Sequence, residues 1–150
     1  MAERYHNPKY WTCKEEYLGT PEGGLRAEEC PKCGLVIFPR RDVCPDCGGH
    51  AKTEKELSGK GEVYSYTTVN DPPAGYEEFA PYMMALVRLE EGPLVVTQLT
   101  DVGQTPIKIG TPVEMVTRVQ KKEGEKGMII YCYKFRPVLK VSAQPQQQEM

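Results

Sequence analysis

Cys30-Pro31-Lys32-Cys33-Gly34 and Cys44-Pro45-Asp46-Cys47-Gly48 are the stretches from which the rest of the chain is read. Each places two thiols on one tight turn, stiffened by the proline and closed by a glycine that accepts a positive φ. Doubled Cys-x-x-Cys turns have the spacing of a zinc ribbon, in which four thiolates surround one ion at about 2.3 Å. Such a set is closed. It leaves no position for a substrate, so Cys30, Cys33, Cys44 and Cys47 read as the ligands of a structural zinc, one per chain. Iron accepts the same four thiolates, so the spacing establishes the site more firmly than the identity of its metal. A redox dithiol would need only one pair. Disulfides within the knuckles would be unusual staples, and no secretory signal precedes them.

The chain has 150 residues, 39% hydrophobic and 27% charged, the balance of an ordinary globular protein. No run approaches the roughly 20 apolar residues of a membrane span, and Met1-Ala2-Glu3-Arg4-Tyr5-His6 contains no hydrophobic signal region. A cytoplasmic protein with no membrane partner is therefore expected. Cys13 and Cys132 stand apart from the knuckles and read as plain core or surface residues. The formal net charge is −2 and the pI about 5.8. Acidic pairs (Glu15-Glu16, Glu28-Glu29, Glu77-Glu78, Glu90-Glu91) interrupt the scattered lysines and arginines. That distribution lacks the basic stripe of a nucleic-acid-binding surface.

Upstream of the knuckles, Asn7 can cap a helix and Pro8 suits its first position. Tyr10, Cys13 and Tyr17 share one face, with Trp11 and Leu18 beside it, until Gly19 and Pro21 stop the helix. Residues 1–24 are thus expected to be a short amphipathic helix and linker. So short a segment cannot bury Tyr10, Trp11 and Tyr17 alone. They either pack on the protein's own body or dock on a partner. Residues 25–56 are the ribbon, with Leu35 to Phe38 a short apolar strand between the knuckles. Its own core is almost nil, so its fold is expected to come from the metal, which contributes about 10 to 16 kcal/mol in zinc-finger peptides.

Residues 57–141 change pattern to short strands separated by turn residues, as in a small antiparallel barrel. The candidates are Gly61 to Val69, Tyr82 to Leu89, Leu94 to Thr100, Val113 to Gln120 and Met128 to Phe135. Five is the strand count of an OB-fold. Val113, Met115, Thr117 and Val119 are expected inward, and Glu114, Arg118 and Gln120 outward. The last candidate has apolar residues on both faces for most of its length. Tyr76, Phe79 and Tyr82 crowd the loop between the first two strands. Residues 142–150, rich in glutamine, read as a disordered tail. The fold class is therefore mainly β: a short N-terminal helix, a rubredoxin-like zinc ribbon and a C-terminal five-stranded OB-fold barrel.

With ribbon and barrel placed, the chain resembles the family of zinc-ribbon plus OB-fold proteins that accompany thiolases and related acyl-CoA enzymes, formerly a domain of unknown function. The resemblance rests on the knuckles with Phe38-Pro39-Arg40-Arg41 between them, on Leu57-Ser58-Gly59-Lys60-Gly61-Glu62-Val63-Tyr64-Ser65-Tyr66-Thr67, on Pro81-Tyr82 and Glu91-Gly92-Pro93, and on Tyr133-Lys134-Phe135-Arg136-Pro137. The family usually has a second proline where this chain has Arg40, so Arg41 alone matches its basic position. The resemblance implies an accessory subunit without chemistry of its own. It would hold a thiolase-fold enzyme in a hetero-oligomer and help enclose coenzyme A or an acyl-CoA at the subunit boundary. Thiolase chemistry needs a nucleophilic cysteine with acid-base partners, and the only histidines are His6 and His50. No catalytic residue is assigned. For such a ligand, Arg41, Lys60, Lys134 and Arg136 are candidates for its phosphates, and Phe79 and Tyr82 for its pantetheine arm. The alternative is a nucleic-acid-binding module, since ribbons and OB barrels both serve that role, but the acidic balance argues against it.

Overall fold

Charged rather than apolar residues build the sheet of the ribbon. A computed structural model describes residues 25–50, 53–122, 125–127 and 129–139. The expected helix with Tyr10, Trp11 and Tyr17, and the tail at 142–150, lie outside the described residues. Strands β1 (Arg26–Glu29), β2 (Val36–Ile37) and β3 (Thr53–Glu56) form an antiparallel sheet in the order β2-β1-β3. Only β2 carries an apolar signal in the sequence. The other two are joined by Arg26–Glu54 at 2.6 Å and Lys55–Glu29 at 2.8 Å, while Arg40 reaches Glu28 at 3.0 Å. Such partly exposed pairs fix register more than they add stability.

Five further strands, β4 (Lys60–Val69), β5 (Tyr82–Leu89), β6 (Leu94–Leu99), β7 (Pro112–Lys122) and β8 (Ile129–Pro137), close into a barrel in the order β4-β5-β6-β8-β7. This is the expected OB-fold barrel. Strand β7 runs past its expected end at Gln120, because a register shift between Val119 and Lys121 lets the β7–β8 ladder continue to Lys122. Closure comes where β6 meets β8 in parallel, Leu99 opposite Phe135, with the Thr100 N–H donating to the Phe135 carbonyl at 2.8 Å. Gly61 permits the approach of β4 to β5: a Cβ there would lie 2.4 Å from the Arg88 carbonyl oxygen.

Alternation along the strands produces the core. Val63, Val87, Leu89, Val113 and Phe135 are sealed from solvent. The expected alternation in β7 is blunted: only Val113 is fully buried, and both faces are half-buried from Glu114 to Gln120. In β8 both faces are covered, since Cys132, Lys134 and Phe135 are all buried. The barrel's cluster also takes in Leu25, Ala27 and Leu57, with Val36 and Phe38 packed against it. Phe38 meets Tyr133 edge-on, ring centroids 6.2 Å apart. The ribbon therefore has more apolar support than its own sequence suggests, borrowed from the barrel.

The loop after β4 is ordered by its own rings. Tyr76 lies 6.4 Å from Phe79 and 6.5 Å from Tyr82 between centroids, and Gln120 of β7 donates to the Tyr76 hydroxyl at 2.9 Å. That contact brings Phe79, on a 3-10 turn at Glu77–Phe79, to the end of the barrel beside β5 and β8.

Candidate functional site

The two knuckles repeat one backbone geometry. In the first, the Cys30 N–H donates to the Leu35 carbonyl at 2.9 Å, and Gly34 N–H to the Cys30 carbonyl at 2.7 Å. In the second, Cys44 N–H donates to Gly49 at 2.9 Å, and Gly48 N–H to Cys44 at 3.0 Å. Gly34 and Gly48 hold φ of 76° and 70°, the left-handed region a β-carbon disfavours. The turns face each other. All four sulfurs lie within 4.8 Å of one another, with Cys30 to Cys47 at 3.5 Å and Cys33 to Cys44 at 3.6 Å. A tetrahedral ion with bonds of about 2.3 Å separates its sulfurs by about 3.8 Å, so the donor set fits zinc.

Electrostatics point the same way. The N–H groups of Cys33 and then Lys32 aim at the Cys30 sulfur and bring its pKa down to about 6. Those of Cys47 and Asp46 likewise lower Cys44, although burial opposes them. The second thiol of each turn moves the other way. The Leu35 N–H pulls Cys33 down, but burial and the sulfurs of Cys44, Cys30 and Cys47 outweigh it and push it up to about 12. Cys47 is raised as well: the Gly49 N–H lowers it, and the Cys30 sulfur and burial prevail. Four thiolates so close repel one another, and a divalent cation removes the conflict. When bound, it crosslinks the two turns.

A second feature lies at one end of the barrel. A cleft of about 490 Å³ is lined by Phe79, Tyr82 and Met83, by the end of β6 with Asp101 beyond it, and by Arg118 of β7 and Lys134 of β8. Lys134 rises into it from β8, 4% exposed, with its ammonium 5.0 Å from the centre of the Phe79 ring. Arg118 of β7 donates to Asp101 at 2.6 Å, and Asp101 adopts φ 51° just beyond β6. Burial, with help from Arg118, holds the Lys134 pKa below its ordinary value, and Asp101 partly offsets this.

Of the six candidates for coenzyme A, the cleft gathers Phe79, Tyr82 and Lys134 and not the others. Arg41 is exposed in the ribbon and Lys60 at the start of β4. Arg136 donates to Glu114, its cross-strand neighbour, at 2.9 Å. Arg118 and Asp101 were not legible as site residues. Arg118 alternates as an outward residue of β7, and no local pattern marks Asp101.

Comparison with known proteins covers both modules. A family described as the rubredoxin-like zinc ribbon domain of ChsH2 matches residues 19–53, and one described as the C-terminal OB-fold domain of ChsH2 matches residues 54–118. A DUF35 domain-containing scaffold protein of Pyrococcus furiosus is 51% identical over 111 residues, 73% of this chain and 82% of the relative. The benzoylsuccinyl-CoA thiolase subunit BbsA of Thauera aromatica is 27% identical over 114 residues, 76% of each chain. Among solved structures, the Ltp2-ChsH2(DUF35) aldolase matches with a TM-score of 0.63 at 30% identity, over 83% of this chain and 92% of that one.

Proposed function

The chain belongs to the DUF35 family of ChsH2-type zinc-ribbon and OB-fold proteins, and from that premise we propose that it is a non-catalytic accessory subunit of a thiolase-type acyl-CoA enzyme. The observation that carries the reading is similarity across ribbon and barrel together. It relates this chain to a protein named as a scaffold and to one named as a thiolase subunit. In this reading Cys30, Cys33, Cys44 and Cys47 hold one structural zinc. Strand β6 also supports a partner, because Leu94 and Val96 stand 45% and 62% exposed opposite Arg88 and Leu86 of β5.

Coenzyme A or an acyl-CoA is the shared ligand at the subunit boundary. Phe79, Tyr82 and Lys134 serve it from the cleft, and the exposed Arg41 and Lys60 are available to phosphates outside it. Arg136 is the weakest of the six, since Glu114 already occupies it. The N-terminal residues Tyr10, Trp11 and Tyr17 supply part of the docking surface.

Co-purification from the native source tests the proposal. A thiolase-fold partner should be recovered with the full chain, and deletion of residues through Leu18 should weaken its recovery. A stable uncomplexed protein that restores activity to no thiolase would end the proposal. Elemental analysis should find one zinc per chain in a colourless sample; visible absorption would assign the thiolates to iron instead.

A further inference from the structure

Lys134 is the one charged side chain buried to below a tenth exposure among the described residues, at 4%. Its surroundings neutralise it only in part, through the more distant Asp101. No carboxylate pairs with its ammonium and no hydrogen bond reaches it among the described residues; it lies over the face of the Phe79 ring, 5.0 Å from its centre. The acid of the cleft is already engaged, since Asp101 Oδ2 accepts from Arg118 at 2.6 Å and Oδ1 from the Thr100 hydroxyl at 3.4 Å. A largely buried cation without a paired carboxylate is disfavoured, and buried charges are ordinarily paired. Here the missing partner has a place to come from. The side chain faces a cleft of about 490 Å³, within the range of small-molecule sites.

The charges in the cleft limit what fits. Lys134 and Arg118 are cationic and Asp101 is anionic, which leaves one positive charge to be matched. A 3′-phospho-ADP group carries several negative charges, and Asp101 would repel it. A carboxylate carries one. Phe79, next to Lys134, lines the cleft together with Tyr82 and Met83, and these side chains suit an aromatic or aliphatic body.

We propose that this cleft is a binding site for an organic monocarboxylate, with the carboxylate on the Lys134 ammonium and the apolar body against Phe79, Tyr82 and Met83. This deepens the reading above, and rests on it only in identifying the carboxylate with the free acid end of an acyl chain rather than with a free acid. The nucleotide end of a thioester ligand then lies outside the cleft.

The test uses the zinc-loaded full chain labelled with ¹⁵N, titrated separately with phenylacetate, phenylacetamide and adenosine 3′,5′-bisphosphate. Phenylacetate should shift the amides of Tyr82, Met83 and Lys134 saturably. The neutral amide should bind about ten-fold more weakly, as expected for loss of one charge-assisted contact, and the bisphosphate should not displace the acid. Lys134→Met should weaken the acid to the level of the amide. Equal binding of acid and amide, displacement by the bisphosphate, or no saturable shift would each overturn the proposal. Should Lys134→Met fail to fold, the acid-against-amide comparison on the unaltered chain decides alone. A glutaryl thioester of N-acetylcysteamine separates the two sources: tighter binding than phenylacetate assigns the site to an acyl chain, and weaker binding to a free acid. Partner recovery is scored independently, so a chain that captures its thiolase but ignores phenylacetate loses this inference and keeps the accessory role.

Discussion

In the barrel, Val63, Val87, Leu89, Val113 and Phe135 are sealed from solvent, whereas among the described residues the ribbon's own cluster seals only Cys30, Ile37 and Cys44. Two of those three are thiols of the metal site. The barrel thus has a hydrophobic core of its own, while the ribbon offers four thiols to a metal at one end and leans on the barrel at the other, where Leu25, Ala27 and Leu57 join the larger cluster. The contrast teaches that sheet geometry does not reveal what stabilises a sheet. One ladder is held by burial; the other has a borrowed surface and a four-thiol site suited to a metal.

Removing a metal ligand should separate the two regions most sharply. Cys33→Ser is expected to reduce zinc from one per chain to a substoichiometric level and to abolish amide-exchange protection in β1 to β3, while β4 to β8 keep theirs. Collapse of the barrel in the same variant would show that the modules fold as one unit. Phe135→Ala attacks from the other side. A fully buried phenylalanine lost from the core costs about 3 to 5 kcal/mol, measurable by urea denaturation. Because Phe135 shares its cluster with Leu25 and Ala27, ribbon protection should fall too while zinc is retained.

Lys134→Met is expected to act in the opposite sense. Replacing an unpaired buried ammonium by an apolar chain of similar length should stabilise the barrel by up to about 1 kcal/mol, tempered by the lost contact with Phe79. The sign with pH follows from the lowered folded-state pKa. Folding disfavours the protonated form, so the penalty is complete below the folded value. It fades as pH rises and is gone above the ordinary 10.5. The variant's gain should therefore be present at neutral pH and vanish in strong alkali; a gain that persisted there would place its cause in packing. Glu54→Ala should have the smallest effect. Its pair with Arg26 is partly exposed, and a loss of less than about 1 kcal/mol, shrinking with salt, is expected in the melting of the ribbon.

Much of the barrel was legible because the apolar residues of Tyr82–Leu89 and Leu94–Leu99 follow strand patterns and the breaks carry turn residues. Strands β1 and β3 were not. Arg-Ala-Glu-Glu and Thr-Glu-Lys-Glu offer no apolar alternation, and their pairing depends on partners distant in the chain. The knuckles were legible as a site since their ligands are fixed by two short turns. The cleft was only half legible. Phe79 and Tyr82 stand out as aromatics in a loop, but Lys134 in sequence looks like any solvated lysine near a strand end.

By itself the sequence determined the four-thiolate centre, the division into ribbon and barrel, and the absence of a basic stripe, because each is a matter of local spacing or composition. Tertiary structure alone decided that the ribbon would rest on the barrel's core, that Lys134 would be buried, and that Arg118, Asp101 and Phe79 would surround it. Those residues sit on three strands or strand ends and one loop. Only barrel closure brings them together, and it leaves one largely buried ammonium with no carboxylate paired to it among the described residues.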